Sequence, residues 1–231
     1  MARHYPRINP VIQANLTAIR TSDGIDLSGI FVEPVGRRRI ALIWVHGLTS
    51  SFDRGQILIG CLSRACRKRG IGYFKFNTRG HHLADIGGSA APPQTGASFE
   101  RFQDCRKDID TMIKFARHRG YRKIILAGHS TGANKIIYYQ AHRKIRGLIG
   151  VIIASPVNDI AGELKHHSRL VLDRRVMQAR RWAKRQPHRM VPSQWGPWSA
   201  SRYVSLYAAT SPENVFWFRP PRAANENNLA R

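Results

Sequence analysis

A chain of 231 residues is long enough for one substantial core, or one core with a small appended lid, and its 42% apolar content is ordinary for a folded domain. No run nears the eighteen or so apolar residues of a membrane span, which excludes a helical membrane protein. The 38 Lys and Arg against 14 Asp and Glu leave a formal charge of +24.

That charge suits nucleic acid or anionic membrane, because clustered Lys and Arg gain affinity by releasing counterions. Here it is spread along the chain, without helix-turn-helix, RNA-binding or zinc-finger spacing. An Arg-rich composition is therefore the simpler reading, and no specific nucleic-acid partner is expected. Cys61, Cys66 and Cys105 fall in predicted helices with no histidine pattern of a zinc site. They read as reduced thiols, so no metal, cofactor or disulfide frame is expected and the expected location is cytoplasmic. Residues 1–15 are basic without an apolar h-region, which predicts no signal peptide.

In chain order, Val11–Val35 reads as a β-hairpin around Ser22-Asp23-Gly24, a strong tight-turn signal. Arg37–Arg39 form a solvated turn. The continuously apolar Ile40–Val45 reads as a strand covered on both faces and ends in His46-Gly47-Leu48-Thr49-Ser50. A helical pattern over 55–69 closes at Gly70, and a strand over Gly72–Phe76 runs into Asn77-Thr78-Arg79-Gly80-His81-His82. The stretch 86–98, rich in Gly, Ala, Pro and Ser, predicts a surface loop. Phe99, Phe102, Ile109, Met112, Ile113 and Ala116 predict a helix over 99–118. A strand from Lys123, a helix over Ala133–Arg143 and an apolar strand over Leu148–Ala154 follow. This alternation predicts an α/β fold, a mostly parallel sheet with helices on both faces.

Residues 157–220 break the rhythm. A basic amphipathic stretch over 163–185, with Leu172, Val176, Ala179 and Ala183 on one stripe, precedes Pro187, Pro192 and Pro197. Its outer face reads either as solvated or as a contact for anionic membrane. The aromatic set Trp182, Trp195, Trp198, Tyr203, Tyr207 and Trp217 reads either as the lining of an acyl pocket or as packing. The polar tail 221–231 is predicted to be disordered.

The chemistry concentrates at residues 123–132, where a short apolar strand stops at Gly128-His129-Ser130-Thr131-Gly132 and a helix begins at once. This is Gly-x-Ser-x-Gly in the strand–turn–helix context of a nucleophile elbow. Gly128 and Gly132 must be small for the strand and helix backbones to pass. The sharp turn lifts the Ser130 hydroxyl above the sheet, and the helix N-terminus aims free N–H groups at developing negative charge. Lys135 does not make a phosphate loop, since Gly-x-x-x-x-Gly-Lys-Ser/Thr is absent.

The ordered set His46-Gly47, Asn77-Thr78-Arg79-Gly80-His81 and Gly128-His129-Ser130-Thr131-Gly132, each after a strand, resembles the α/β-hydrolase superfamily. It is most similar to the serine aminopeptidase, lysophospholipase-like and carboxylesterase-like branches. The resemblance implies a hydrolase core over 11–156, a mostly helical cap over 157–220 and a small-molecule ester as substrate, handled through an acyl-Ser130 intermediate. It implies an oxyanion hole from the backbone N–H groups of Thr131 and Leu48, with His46 packing beneath that loop. Superfamily members supply an acid and then a histidine from two later strands. No histidine follows His188, so the chain reads as truncated before its last two strands, with activity impaired and a sheet edge open to homo-oligomerisation or aggregation.

Asp159 reads either as the acid or as a helix cap. His166, His167 and His188 lie in the expected cap; His129, His81 and His82 read as backbone- or loop-shaping groups. Three functions follow: a serine esterase, a non-catalytic hydrolase-like protein, or a charge-driven nucleic-acid-associated protein.

Overall fold

Gly24, at φ +85°, takes the left-handed turn that glycine adopts without steric cost. It closes a hairpin of β1 (Asn15–Arg20) and β2 (Asp26–Val32). The computed structural model describes residues 13–36, 39–86 and 94–216, so Val11 and the tail 221–231, like Trp217, lie outside the described residues. After the hairpin come β3 (Ile40–Val45), α1 (Gln56–Lys68) and β4 (Ile71–Phe76). A two-residue ribbon, β5 (Asp85–Ile86) with β6 (Gln94–Thr95), leads to a 3-10 turn at Phe102–Asp104 and α2 (Cys105–His118). Then follow β7 (Lys123–His129), α3 (Thr131–His142), β8 (Leu148–Ala154), α4 (Asp159–Glu163) and α5 (Arg169–Arg185). A second ribbon, β9 (Met190–Val191) with β10 (Trp198–Ser199), precedes α6 (Ala200–Tyr207).

The sheet has six strands in the order β1-β2-β4-β3-β7-β8. β4, β3, β7 and β8 run parallel, and the hairpin joins antiparallel through β2. The apolar character of β3 and β7 follows from this: both are central and covered on two faces. On one face α2 and α3 bring Ile109, Met112, Ile136 and Tyr139 onto Leu27, Phe74, Phe76 and Leu126. On the other, α1 brings Ile59 and Cys66 onto Leu42, Trp44 and Tyr73. Each such side chain contributes roughly 1.5–3 kcal/mol by leaving water. Among the described residues β8 is an edge strand, and Ile149, Ile152 and Ile153 are 50%, 45% and 44% exposed there.

Three expectations need correction. The helix expected over 99–118 becomes regular only at Cys105, because Arg101 is extended and Glu100 is drawn into a buried ion cluster. The stretch over 163–185 is two elements: Ser168 caps α5, accepting from the Val171 N–H at 3.4 Å, and so separates it from α4. The loop expected over 86–98 is buried at Thr95–Ser98, while 87–93 lies outside the described residues. Ala97 and Ser98 donate to the His82 and Leu83 carbonyls at 3.0 and 2.9 Å, and the Ser98 hydroxyl donates to the Pro197 carbonyl at 2.7 Å.

Residues after β8 build a second cluster. Leu172, Val176 and Ala179 of α5 pack on Tyr203, Leu206 and Tyr207 of α6, with Trp198 beside them. Among the described residues no helix is long and apolar enough to cross a membrane.

Candidate active site

The carboxyl ends of β3, β7 and β8 lie side by side, where open α/β sheets bind ligands. Each is followed by a non-glycine residue at positive φ: Thr49 at 57°, Ser130 at 56° and Ser155 at 46°. Such conformations cost on the order of 1–3 kcal/mol and persist only where surrounding contacts impose them. For Ser130 those contacts are explicit. Its N–H donates to the Ala154 carbonyl at 3.0 Å, and its carbonyl accepts from the Ala133 N–H at 2.9 Å.

The elbow glycines are needed for close approach. A Cβ on Gly128 would sit 2.4 Å from the Gly132 carbonyl oxygen, and one on Gly132 would sit 2.2 Å from that of Val45. Gly47 lies against the serine itself, since a Cβ there would be 2.8 Å from Ser130 Cβ and 3.2 Å from its Oγ. Thr131 opens α3, so its N–H has no intrahelical acceptor. The Leu48 N–H has no acceptor among the described residues.

Ser130, Leu48, Thr131 and Asp159 share the wall of a cavity of about 780 Å³. Trp195, Trp198 and Tyr207 supply aromatic surface to its wall, and Lys165 belongs to that wall as well. Asp159 is the first residue of α4; the cap is Asn158, whose side chain accepts from the Ala161 N–H at 2.9 Å. Burial, reinforced by the nearby Glu213, pushes the Asp159 carboxyl up to about 7. A carboxyl so poised holds or releases a proton near neutrality.

No histidine lines this cavity among the described residues. His129 points out to solvent. His46 is buried, with Nε2 accepting from the Thr78 N–H at 2.9 Å and Nδ1 at 2.8 Å from the Gly47 carbonyl. Burial, aided by Lys135, drives its pKa down to about 3, so it stays neutral and spans two loops. His81 lies between the Thr78 carbonyl and Asp85, each at 3.0 Å. His82 stands beside it, its N–H donating to the Ser50 carbonyl at 3.2 Å. His167 contacts Arg175 at 3.0 Å, His188 lies on the Phe99 ring at 6.0 Å, and His166 is exposed. Among the described residues no cluster of His, Cys, Asp and Glu could hold a metal ion.

Sequence reasoning missed what lies under the elbow. Lys135 and Glu100, both fully buried, pair at 2.7 Å, and Arg202 of α6 reaches the other Glu100 oxygen at 3.0 Å. Arg202 also pairs with Glu213. The Asn134 amide donates to the Val157 and Glu213 carbonyls, both at 2.9 Å, fastening the first turn of α3 to the chain that follows β8. Arg79 likewise pins its loop, pairing with Asp108 at 2.8 Å and Asp23 at 3.0 Å. The available signal was Asn134-Lys135, two polar residues on a helical turn that needs to be buried against a sheet.

This elbow, with an apolar-walled cavity at the strand ends, has counterparts. A sequence model described as serine aminopeptidase, S33 matches residues 36–207. The chain belongs to this α/β-hydrolase family. A search of curated protein sequences returns no match. Among solved structures the chain is similar to the siderophore hydrolase EstB from Aspergillus fumigatus, with a TM-score of 0.61 and 18% identity over 92% of this chain and 69% of that one. The α/β hydrolase GrgF from Penicillium sp. sh18 has a TM-score of 0.55 and 18% identity over 80% of this chain and 61% of that one. A thermostable carboxyl esterase from Bacillus coagulans, in complex with glycerol, has a TM-score of 0.50 and 17% identity over 73% of this chain and 52% of that one. At such identities the likeness is one of fold. The chain spans between half and about 70% of the length of these three hydrolases.

Proposed function

We propose that this chain carries a serine-hydrolase centre for carboxylic esters, with Ser130 as nucleophile. The Leu48 and Thr131 N–H groups receive the oxyanion, and residues 157–216 act as a cap on a hydrolase core ending at residue 156. The observation that carries this reading is the Ser130 elbow, held at φ 56° in the wall of a cavity that also presents Leu48, Thr131 and Asp159.

The Ser130 Oγ attacks the ester carbonyl while a base takes its proton. The carbonyl oxygen becomes an oxyanion between two fixed N–H donors, each worth about 10²–10³ in rate. The C–O bond then breaks, the proton passes to the departing alkoxide, and water releases the acid from acyl-Ser130 by the same steps. Among the described residues the one acidic side chain in the wall is Asp159, which we assign as the base. The aromatic wall suits an apolar acyl group.

A second reading, ligand binding without turnover, draws support from the lack of histidine in the wall among the described residues. Fluorophosphonate labelling of the purified chain separates the two, with Ser130→Ala as control. Labelling that vanishes in the variant supports an activated serine. A folded sample that stays unlabelled supports the second reading.

A further inference from the structure

α5 buries Leu172, Val176 and Ala179 along one stripe. At 3.6 residues per turn the opposite face carries Leu170, Arg174, Met177, Arg181, Lys184 and Arg185. The four basic side chains are exposed, Leu170 is 60% exposed and Met177 is 54% exposed. This stripe contains no acid; the helix has seven basic residues against Asp173 alone, which sits on its flank paired with Arg169 at 3.0 Å. The helix is 17 residues and so about 25 Å long. Near its start Lys165 belongs to the cavity wall, as does Trp195, 62% exposed.

We infer that this outer face of α5 docks the protein on an anionic lipid surface. A helix lying in the headgroup plane needs large apolar side chains to enter the acyl boundary and basic ones to meet lipid phosphates, on the same face. The stripe supplies both, interleaved, and the long basic stems can bend toward the headgroups. A nucleic-acid surface calls for the charge but gives no role to Leu170 and Met177. The docking face is read from α5 alone. Its use, bringing lipid-borne esters to the cavity, rests on the hydrolase reading above.

Co-sedimentation with phosphatidylcholine vesicles, with and without phosphatidylglycerol, tests this on the wild-type chain and on Ser130→Ala, so that docking and chemistry succeed or fail separately. Binding is expected only to the anionic vesicles and equally for both proteins. Replacing Arg174, Arg181 and Lys184 together by Gln is expected to weaken it on the order of 100-fold, at about fivefold per charge. Leu170→Ser with Met177→Ser is expected to weaken it by roughly 10-fold or more. A charge-matched variant at the C-terminal end of α1, Arg67→Gln with Lys68→Gln and Arg69→Gln, is expected to bind within about threefold of wild type. The proposal is overturned if neutral vesicles bind as well, if no vesicle binds, or if the α1 variant loses as much as the α5 one. It is equally overturned if the Leu170/Met177 variant binds as wild type while duplex DNA competes the vesicles away, the pattern of a nucleic-acid surface.

Discussion

The Lys135 ammonium and the Glu100 carboxylate, both fully buried, meet at 2.7 Å at the first turns of the helix that follows Ser130. Glu100 reaches this helix from the chain before α2, and its second oxygen holds Arg202 of α6 at 3.0 Å. Burial alone would raise the Glu100 pKa, but Lys135 and Arg202 overcome that and hold it below the usual carboxylate range. One carboxylate therefore ties the elbow helix to the helical segment above it.

Removing Lys135 leaves two buried carboxylates, Glu100 and Glu213, sharing the single cation Arg202. Lys135→Met is expected to destabilise the chain by about 3–5 kcal/mol. Lys135→Met with Glu100→Gln is expected to recover part of that loss, because the excess carboxylate is then gone and Arg202 keeps Glu213. Urea unfolding of the two single variants and the double variant measures the coupling; a double variant no better than the sum of the singles rejects the account.

Asp159 gives a pH-dependent prediction with a definite sign. In the unfolded chain its proton leaves near the ordinary carboxyl value of 3.8, whereas in the folded chain it stays until about 7. Between those values the folded state binds more protons, so this group's contribution to stability falls as pH rises and the loss is complete above 7. Asp159→Asn is expected to unfold like wild type at pH 4 and to be more stable at pH 8, by on the order of 2 kcal/mol after allowance for cavity water. Fluorophosphonate labelling of wild type is expected to rise as pH passes 7 and to be lost in Asp159→Asn. Labelling of the variant at the wild-type rate assigns the base elsewhere.

Ser130 carries the backbone strain of the turn at φ 56°. Glycine adopts that conformation freely, so Ser130→Gly is expected to stabilise the fold by about 1 kcal/mol, strain relief outweighing the added freedom of the unfolded chain. Ser130→Ala keeps the Cβ and is expected to show no such gain. Thermal melts of the two variants decide it; equal melting temperatures mean that the turn is unstrained.

Local sequence determined a good deal here. Apolar runs marked β3 and β7, because a strand covered on both faces must be apolar throughout; the run over β8 is as apolar although no residue of that strand is buried. Gly128 and Gly132 on either side of Ser130 marked the elbow, because only residues without side chains allow the observed 2.2–2.4 Å approaches of a notional Cβ to backbone oxygen. The stripe Leu172, Val176 and Ala179 foretold the buried side of α5.

Tertiary structure decided what depends on partners distant in the chain. Glu100 interrupts the predicted helix because Lys135 and Arg202, 35 and 102 residues away, hold its carboxylate. Asp159 acquires its raised pKa only from burial in a wall shared with Ser130 and from Glu213 nearby. His46 is a poor base because its surroundings bury it and engage both ring nitrogens. Periodicity and turn chemistry act over a few residues and can be read along the chain, whereas desolvation and charge pairing depend on which residues the fold brings together.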